Sequence, residues 1–267
     1  SGAARFSFAG GKIDLQATLP LSGRINDIQV AGGTLWVAAE RGLASFEVAA
    51  ADGATPVFAE SSGWGLSQGI LAKEGFLYVA SSSRGLETYS LQDPVAPQLI
   101  DVSMTNGVEA DVGLLNVHAL GDLLVVADGR AGLSVFDLAT PSSPALRGTI
   151  VGADGIISMI AGPTRVYACD GTYALWTVDL SNPDAPSYVS LDIVPEVGGC
   201  NGLAIRNDRL FMAGSYGLGI YDISTGDAVF EGAAILPAED ILLGVAIRDD
   251  YLYAPTYVRD HEGVYGA

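Results

Sequence analysis

Lysine is nearly absent from this chain of 267 residues: only Lys12 and Lys73 occur. A coiled coil or long charged helix needs many more, so that class is excluded. Cysteine is scarce too, with Cys169 and Cys200 alone. Two cysteines make neither a disulfide scaffold nor a structural zinc site. Histidine is limited to His118 and His261, so no Ser-His-Asp order can be assigned. Charged residues make up only 16% of the chain, while apolar residues make up 49%, which excludes a disordered acidic tail. Long apolar runs are missing as well. The most apolar tract, Ala233 to Ile247, is broken by Glu239 and Asp240, so no membrane-inserting span is encoded. The first residues, Ser1-Gly2-Ala3-Ala4, lack the basic start of a signal peptide. Two compartments stay open: export with a leader removed, or the cytoplasm.

Charge of one sign is in excess. Lys plus Arg total 13 against 31 for Asp plus Glu, a net charge of -18. That field repels phosphate backbones and anionic membranes, so nucleic acid is not expected as a partner. A local arginine cluster still has the means to hold a small anion.

The positive signal is repetition. The triplets Leu35-Trp36-Val37, Leu77-Tyr78-Val79, Leu124-Val125-Val126, Val166-Tyr167-Ala168, Leu210-Phe211-Met212 and Leu252-Tyr253-Ala254 begin 42, 47, 42, 44 and 42 residues apart. A small residue and an apolar one follow each: Gly42-Leu43, Gly85-Leu86, Gly132-Leu133, Ala174-Leu175, Gly217-Leu218 and, more loosely, Gly263-Val264. An alternating run then ends on a polar position, as in Phe136-Asp137-Leu138, Val178-Asp179-Leu180 and Tyr221-Asp222-Ile223. Proline-bearing turns come next: Asp93 to Pro97, Thr140 to Pro144 and Asn182 to Pro186.

Each unit reads as four short strands; in the third copy they are expected at 117–120, 123–127, 133–138 and 145–151. No segment has a helical period. The prediction is an all-β fold: a six-bladed β-propeller of four-stranded antiparallel blades, forming one domain over 1–267. The repeats fall at about 26–67, 68–114, 115–156, 157–200, 201–242 and 243–267 plus 1–25. The sixth copy runs out inside its third strand. Residues 12–19 read as a fourth, outer strand, so the N-terminal segment is expected to complete the last blade and protect its edge.

The run from Gly132 to Pro144 resembles the LVIVD repeat, a propeller family whose pattern is roughly Gly-Leu-x-Ile-x-Asp-x-Ser-x-Pro-x-x-Pro. Leu175 to Pro186 matches nearly as well, and Leu86 to Pro97 replaces the Asp by Ser90. The resemblance implies a propeller that is exported or surface-associated. It carries over no catalytic residues, because the motif is a folding motif.

Within a four-stranded blade, the turns between strands two and three share a face with the connections between blades. The candidate binding residues gather there: Arg41, Arg84, Arg130, Tyr173, Tyr216 and Arg259 in the turns, and Trp64 in a connection. Two readings of the arginines stand side by side, pairing with acids to seal neighbouring blades and contact with a ligand. Trp64 is read either as a partner anchor or as a plug over the core. Cys169 and Cys200 fall on that face at neighbouring strand ends, so a disulfide between them is geometrically allowed. The repeated Asp137, Asp179 and Asp222 read as turn-forming groups rather than catalytic ones. No catalytic residues, cofactor or metal site are assigned.

The function expected is therefore a non-catalytic protein-interaction or scaffold propeller, exported or at the cell surface. The alternative is a propeller, or an enzyme, that takes a small ligand or glycan at the channel mouth.

Overall fold

The computed structural model describes residues 2–9, 12–21, 23–61, 67–81, 84–105, 116–128, 132–152, 155–170, 174–193, 195–236, 240–248 and 251–258. Regular structure among them is entirely β, with no helix. The chain divides into two compact units, Ser1–Val117 with Phe136–Leu146 and His118–Val135 with Arg147–Ala267, the division falling within the third four-stranded sheet.

Strands β1 (Gly2–Ala9) and β2 (Lys12–Pro20) form an antiparallel pair. The first four-stranded sheet holds β3 (Ile25–Ala31), β4 (Thr34–Ala39), β5 (Gly42–Glu47) and β6 (Phe58–Ser61). The second holds β7 (Ser67–Lys73), β8 (Phe76–Ser81), β9 (Gly85–Ser90) and β10 (Gln98–Ser103). The third comprises β11 (Asn116–Leu120), β12 (Leu123–Asp128), β13 (Gly132–Asp137) and β14 (Ala145–Ile150), within a residue of the strands expected from sequence. The fourth has β15 (Ile156–Ala161), β16 (Val166–Asp170), β17 (Ala174–Asp179) and β18 (Ser187–Ile193). The fifth has β19 (Cys200–Arg206), β20 (Arg209–Gly214), β21 (Gly217–Asp222) and β22 (Val229–Ile235). Spatial order equals chain order in all five.

The periodic glycine has a steric cause. Gly85 and Gly132 open their third strands with φ of +90° and +95°. A Cβ on Gly132 would lie 2.0 Å from the Ile150 carbonyl oxygen, and one on Gly85 would lie 2.6 Å from that of Ser103. The fourth strand occupies the space a side chain would need.

The turn after the third strand is equally determined. Asp137 Oδ1 accepts from Ala139 N at 2.6 Å, Asp179 Oδ1 from Ser181 N at 2.7 Å and Asp222 Oδ1 from Ser224 N at 2.8 Å. Each carboxylate closes an Asx turn, the local task its recurrence suggests. Those bonds, the backbone bond first, hold the Asp179 and Asp222 carboxyls below the ordinary carboxylate value. A β-turn with proline at its second position follows, with Ser143 N donating to Thr140 O and Ala185 N to Asn182 O.

Cores lie between successive sheets inside each unit. In the first unit, Trp36, Ala38 and Leu43 of the first sheet pack on Ile70, Leu77, Val79 and Tyr89 of the second. In the second unit, Tyr167, Cys169 and Leu175 of the fourth sheet pack with Cys200, Leu210, Met212 and Tyr221 of the fifth. Large side chains buried this fully contribute about 1.5–3 kcal/mol each by area.

Two places depart from the simple repeat. The sixth copy gives β23 (Asp240–Leu242) paired with β26 (Thr256–Val258), and β24 (Ala246–Arg248) paired with β25 (Tyr251–Tyr253). These are the halves of one hairpin. Its ladder is interrupted beside Pro255, which has no N–H to give and only accepts from Leu243 N at 3.0 Å. The start of a third strand expected at Gly263-Val264 lies outside the described residues.

At the N-terminus the strand expected at 12–19 is found as β2, and β1 joins it. Their register shifts between the fourth and fifth residues of β1, Arg5 and Phe6. The third and fourth strands of two later sheets shift at the equivalent steps, Thr177/Val178 and Ile220/Tyr221. The hairpin thus has the layout of a third and fourth strand. It packs Ala3 and Leu19 on Val37 and Phe46 of the first sheet.

Candidate functional site

Each sheet has two ends, and their side chains are used differently. At the end bearing the turn between strands three and four, that turn meets the fourth strand of the preceding repeat. In the first unit, Ser103 Oγ of β10 donates to Pro144 O at 3.0 Å and Ser143 Oγ to Asp101 Oδ1 at 3.1 Å. In the second unit, Arg147 of β14 donates Nε and NH2 to the two oxygens of Asp184 at 2.7 and 2.8 Å. Beside that pair a Cβ on Gly148 would come within 2.5 Å of Pro186 Cδ, so the turn lies directly on the strand. In the first repeat the corresponding turn holds strand β2 through an aspartate. Asp52 Oδ1 accepts from Thr18 N and Thr18 Oγ1 of β2 at 2.8 and 2.6 Å.

The central tyrosines of two of the repeated triplets, Tyr78 and Tyr167, reach the same turns. Tyr78 Oη donates to Pro141 O at 2.9 Å, and Tyr167 Oη to Gly226 O at 2.6 Å. Burial pushes both phenols up to about 12, so they stay protonated donors.

The opposite end carries the turns between strands two and three. In the first sheet Glu40 N donates to Arg24 O at 2.8 Å, which sets the turn against the lead-in to β3. In the fifth sheet Tyr216 N donates to Val197 O at 2.8 Å, setting its turn against the lead-in to β19. Turns and lead-ins do share an end within these sheets.

Three of the expected binding residues are described here. Arg41 is exposed. Tyr216 is 51% exposed. Arg84 is half-buried, and its Nε lies 2.8 Å from Glu87 Oε1, a carboxylate only 1% exposed. Tyr89 Oη donates to the other Glu87 oxygen at 3.2 Å. Arg84 thus pairs with an acid of its own repeat, whereas the sealing reading had it pairing with the next. Trp64, Arg130, Tyr173 and Arg259 lie outside the described residues, as does His261.

Cys169 and Cys200 are joined as a disulfide, with Cα atoms 6.0 Å apart. The bridge ties the end of β16 to the start of β19 and closes a separation of 31 residues. Such a loop stabilises by roughly 3–4 kcal/mol in the chain-entropy view.

Three polar residues, Glu87, Asp27 and Gln29, escape the sequence reading. Glu87 fills a place where other repeats carry Ala44, Ser134 and Gly219. That mismatch is the signal that marks it. Asp27 of β3 accepts from Ile70 N of β7 at 2.9 Å and from Ile28 N at 2.8 Å, and Gln29 accepts from Ala72 N. Burial raises the Asp27 carboxyl, while the two backbone donors oppose that rise. His118 on β11 is pushed down to about 4 by burial and is neutral at neutral pH.

Chemistry is sparse among the described residues. No group of three or more His, Cys, Asp or Glu stands ready for a metal ion. The run Gly65-Leu66-Ser67-Gln68-Gly69 spells Gly-x-Ser-x-Gly, but Ser67 begins β7 in register with Ser81 rather than leading into a helix. The strand-to-helix elbow that gives this motif its meaning is missing there. No helix among the described residues is long and apolar enough to cross a membrane.

Comparison with known proteins agrees with this picture. A model of the LVIVD repeat matches residues 115–151, the third repeat. No curated protein matches the chain. Among solved structures, the crystal structure of the computationally designed Ika8 protein is similar with a TM-score of 0.68. Identity is 9%, over 95% of this chain and 80% of that one, so the likeness is one of fold. The chain thus carries an LVIVD repeat over those residues, and its four-stranded antiparallel sheets are consistent with a repeat β-propeller.

Proposed function

We propose that this chain is a non-catalytic interaction module that engages a protein partner through the turns between the second and third strands. The observation that carries the reading is the contrast between sheet ends. The proline turns Thr140–Pro144 and Asn182–Pro186 hold the preceding repeat. At the other end Arg41 and Tyr216 stand exposed on turns whose backbones are pinned. Exposed arginine and tyrosine on rigid supports are the side chains that most often anchor interfaces.

The single-domain, six-bladed ring belongs to the same proposal and rests on the repeat spacing. Closure would use β1 and β2 as the outer pair of the sixth blade, two strands rather than the one read from sequence. The layout of that hairpin supports this. Export is also part of the proposal. The Cys169–Cys200 bridge supports it, because disulfides persist in oxidising compartments and are rare in the cytosol.

The test is quantitative capture of partners from the source cell's envelope and medium. A variant with Trp64, Arg84 and Arg130 all changed to alanine should capture several-fold less than the parent protein. Equal capture by the two would remove this end of the sheets from consideration.

A further inference from the structure

The first and second repeats present the same arginine with different counter-ions. Arg41 precedes Gly42 at the start of β5, as Arg84 precedes Gly85 at the start of β9. The registers are equivalent too: Ala44 faces Val37 across the hairpin, and Glu87 faces Val79. In the second repeat the residue three places on is Glu87, and its carboxylate meets Arg84 at 2.8 Å. In the first repeat that residue is Ala44, and the internal carboxylate is gone.

What remains around Arg41 is a small basic edge. Gly23 lies beneath it with φ of +90°; a Cβ there would meet Glu40 Cβ at 3.3 Å and Arg41 Cγ at 3.5 Å. Arg24 sits alongside, its carbonyl bound to Glu40 N and its Nε donating to Asn26 Oδ1 at 3.0 Å. Glu40 Oε2 accepts from Arg24 N at 3.2 Å, so one oxygen of this acid is occupied by backbone. Arg84, Arg147, Arg165 and Arg209 all form ion pairs with carboxylates. Arg24 and Arg41 form none among the described residues. In a chain with 31 acids against 13 bases, two neighbouring arginines without a carboxylate partner among the described residues run against the composition.

We infer that the Arg24–Arg41 edge of the first sheet receives an external carboxylate, from an acidic peptide segment of a protein partner, in the role Glu87 plays for Arg84. This rests on the interaction-module reading and names the chemistry of the partner. The net charge of -18 acts against an acidic ligand at long range, but at physiological salt it is screened beyond about 8 Å. Recognition is then decided by the local guanidinium groups, whose planar donors suit a carboxylate.

The test is titration of the full oxidised chain with a fluorescent peptide of glutamates spaced by glycine, read by anisotropy. A lysine-for-glutamate peptide serves as the control. The acidic peptide should bind the parent protein and the lysine peptide should not. Arg41→Gln should weaken binding about three- to five-fold, the scale of one exposed arginine–carboxylate contact. Ala44→Glu, which restores the internal counter-ion of the second repeat, should weaken it at least as much. Ala44 is buried, so Arg41→Gln, at an exposed position, keeps the test decisive if Ala44→Glu fails to fold. Absence of peptide binding, or identical binding by the parent and Arg41→Gln, overturns the inference. If partner capture in the envelope assay nevertheless depends on the Trp64, Arg84 and Arg130 variant, the interaction-module reading stands and only the carboxylate chemistry falls.

Discussion

The two ends of a sheet in this protein do different work. At the proline-turn end, polar groups meet the neighbouring repeat: Ser103 with Pro144, Arg147 with Asp184, Tyr78 with Pro141 and Tyr167 with Gly226. The side chains differ between the two units, hydroxyls in one and a bidentate arginine in the other, but the place of contact is the same. The turn backbone defines the seam, and several chemistries can fasten it. The opposite end keeps Arg41 and Tyr216 in solvent. Among the described residues, that end also holds Arg84 on Glu87 and the Cys169–Cys200 bridge between the fourth and fifth sheets.

The largest expected effect probes the covalent exception. Replacing both Cys169 and Cys200 by alanine should lower stability by roughly 3–4 kcal/mol in chemical denaturation. A loss below about 1 kcal/mol would mean that non-covalent packing alone holds the fourth and fifth sheets together. Next, Gly148→Ala pushes a methyl into Pro186 and should cost about 1–3 kcal/mol, whereas Gly244→Ala, with open space around its Cβ position and no positive φ, lacks that clash. Equal losses from the two would remove the close approach as the cause.

Tyr78→Phe and Tyr167→Phe each delete one seam hydrogen bond and should cost about 1 kcal/mol apiece, with similar values in the two units. A loss confined to one of them would break the equivalence of the seams. The smallest effects are electrostatic. Arg147→Gln should produce a slight destabilisation that disappears in high salt, because the pair is exposed. The carboxyls of Asp52, Asp179, Asp184 and Asp222 are all held below 3.8 by hydrogen bonds and, in part, by arginine. Their contribution is present above that pH and is lost as pH falls through the depressed values. Thermal midpoints should therefore drop on acidification below pH 4, and less steeply in Asp222→Asn, which retains an acceptor for Ser224 N.

Much of the fold was legible because its determinants are local. Glycine at the start of a third strand, Asp two residues before its hydrogen-bonded amide, and proline in the following turn are all short-range requirements. They repeat along the sequence because the geometry repeats. The docking of proline turns onto the preceding fourth strand was not legible. It joins residues roughly 40 apart, such as Asp101 and Ser143, and shows no common side-chain pattern. Strand β1 was missed for a related reason. Gly2 to Ala9 has the layout of a third strand but is followed by Gly10-Gly11 instead of a proline turn. At the candidate site, Arg41, Arg84 and Tyr216 could each be placed in the turn between the second and third strands of its own sheet from connectivity alone. Which of them already had a partner could not, since the Arg84 partner is an acid at a strand position where other repeats carry Ala44, Ser134 or Gly219.

The division of labour between sheet ends is tested most directly by partner capture and thermal midpoint measured together on two variants. Arg41→Gln with Tyr216→Ala changes only the exposed end, and Gly148→Ala with Tyr167→Phe changes only the seams. The account predicts that the first loses capture several-fold at an unchanged midpoint, and that the second loses stability while the folded protein still captures its partner. Full capture by the first variant, with capture lost by the folded second, would contradict it.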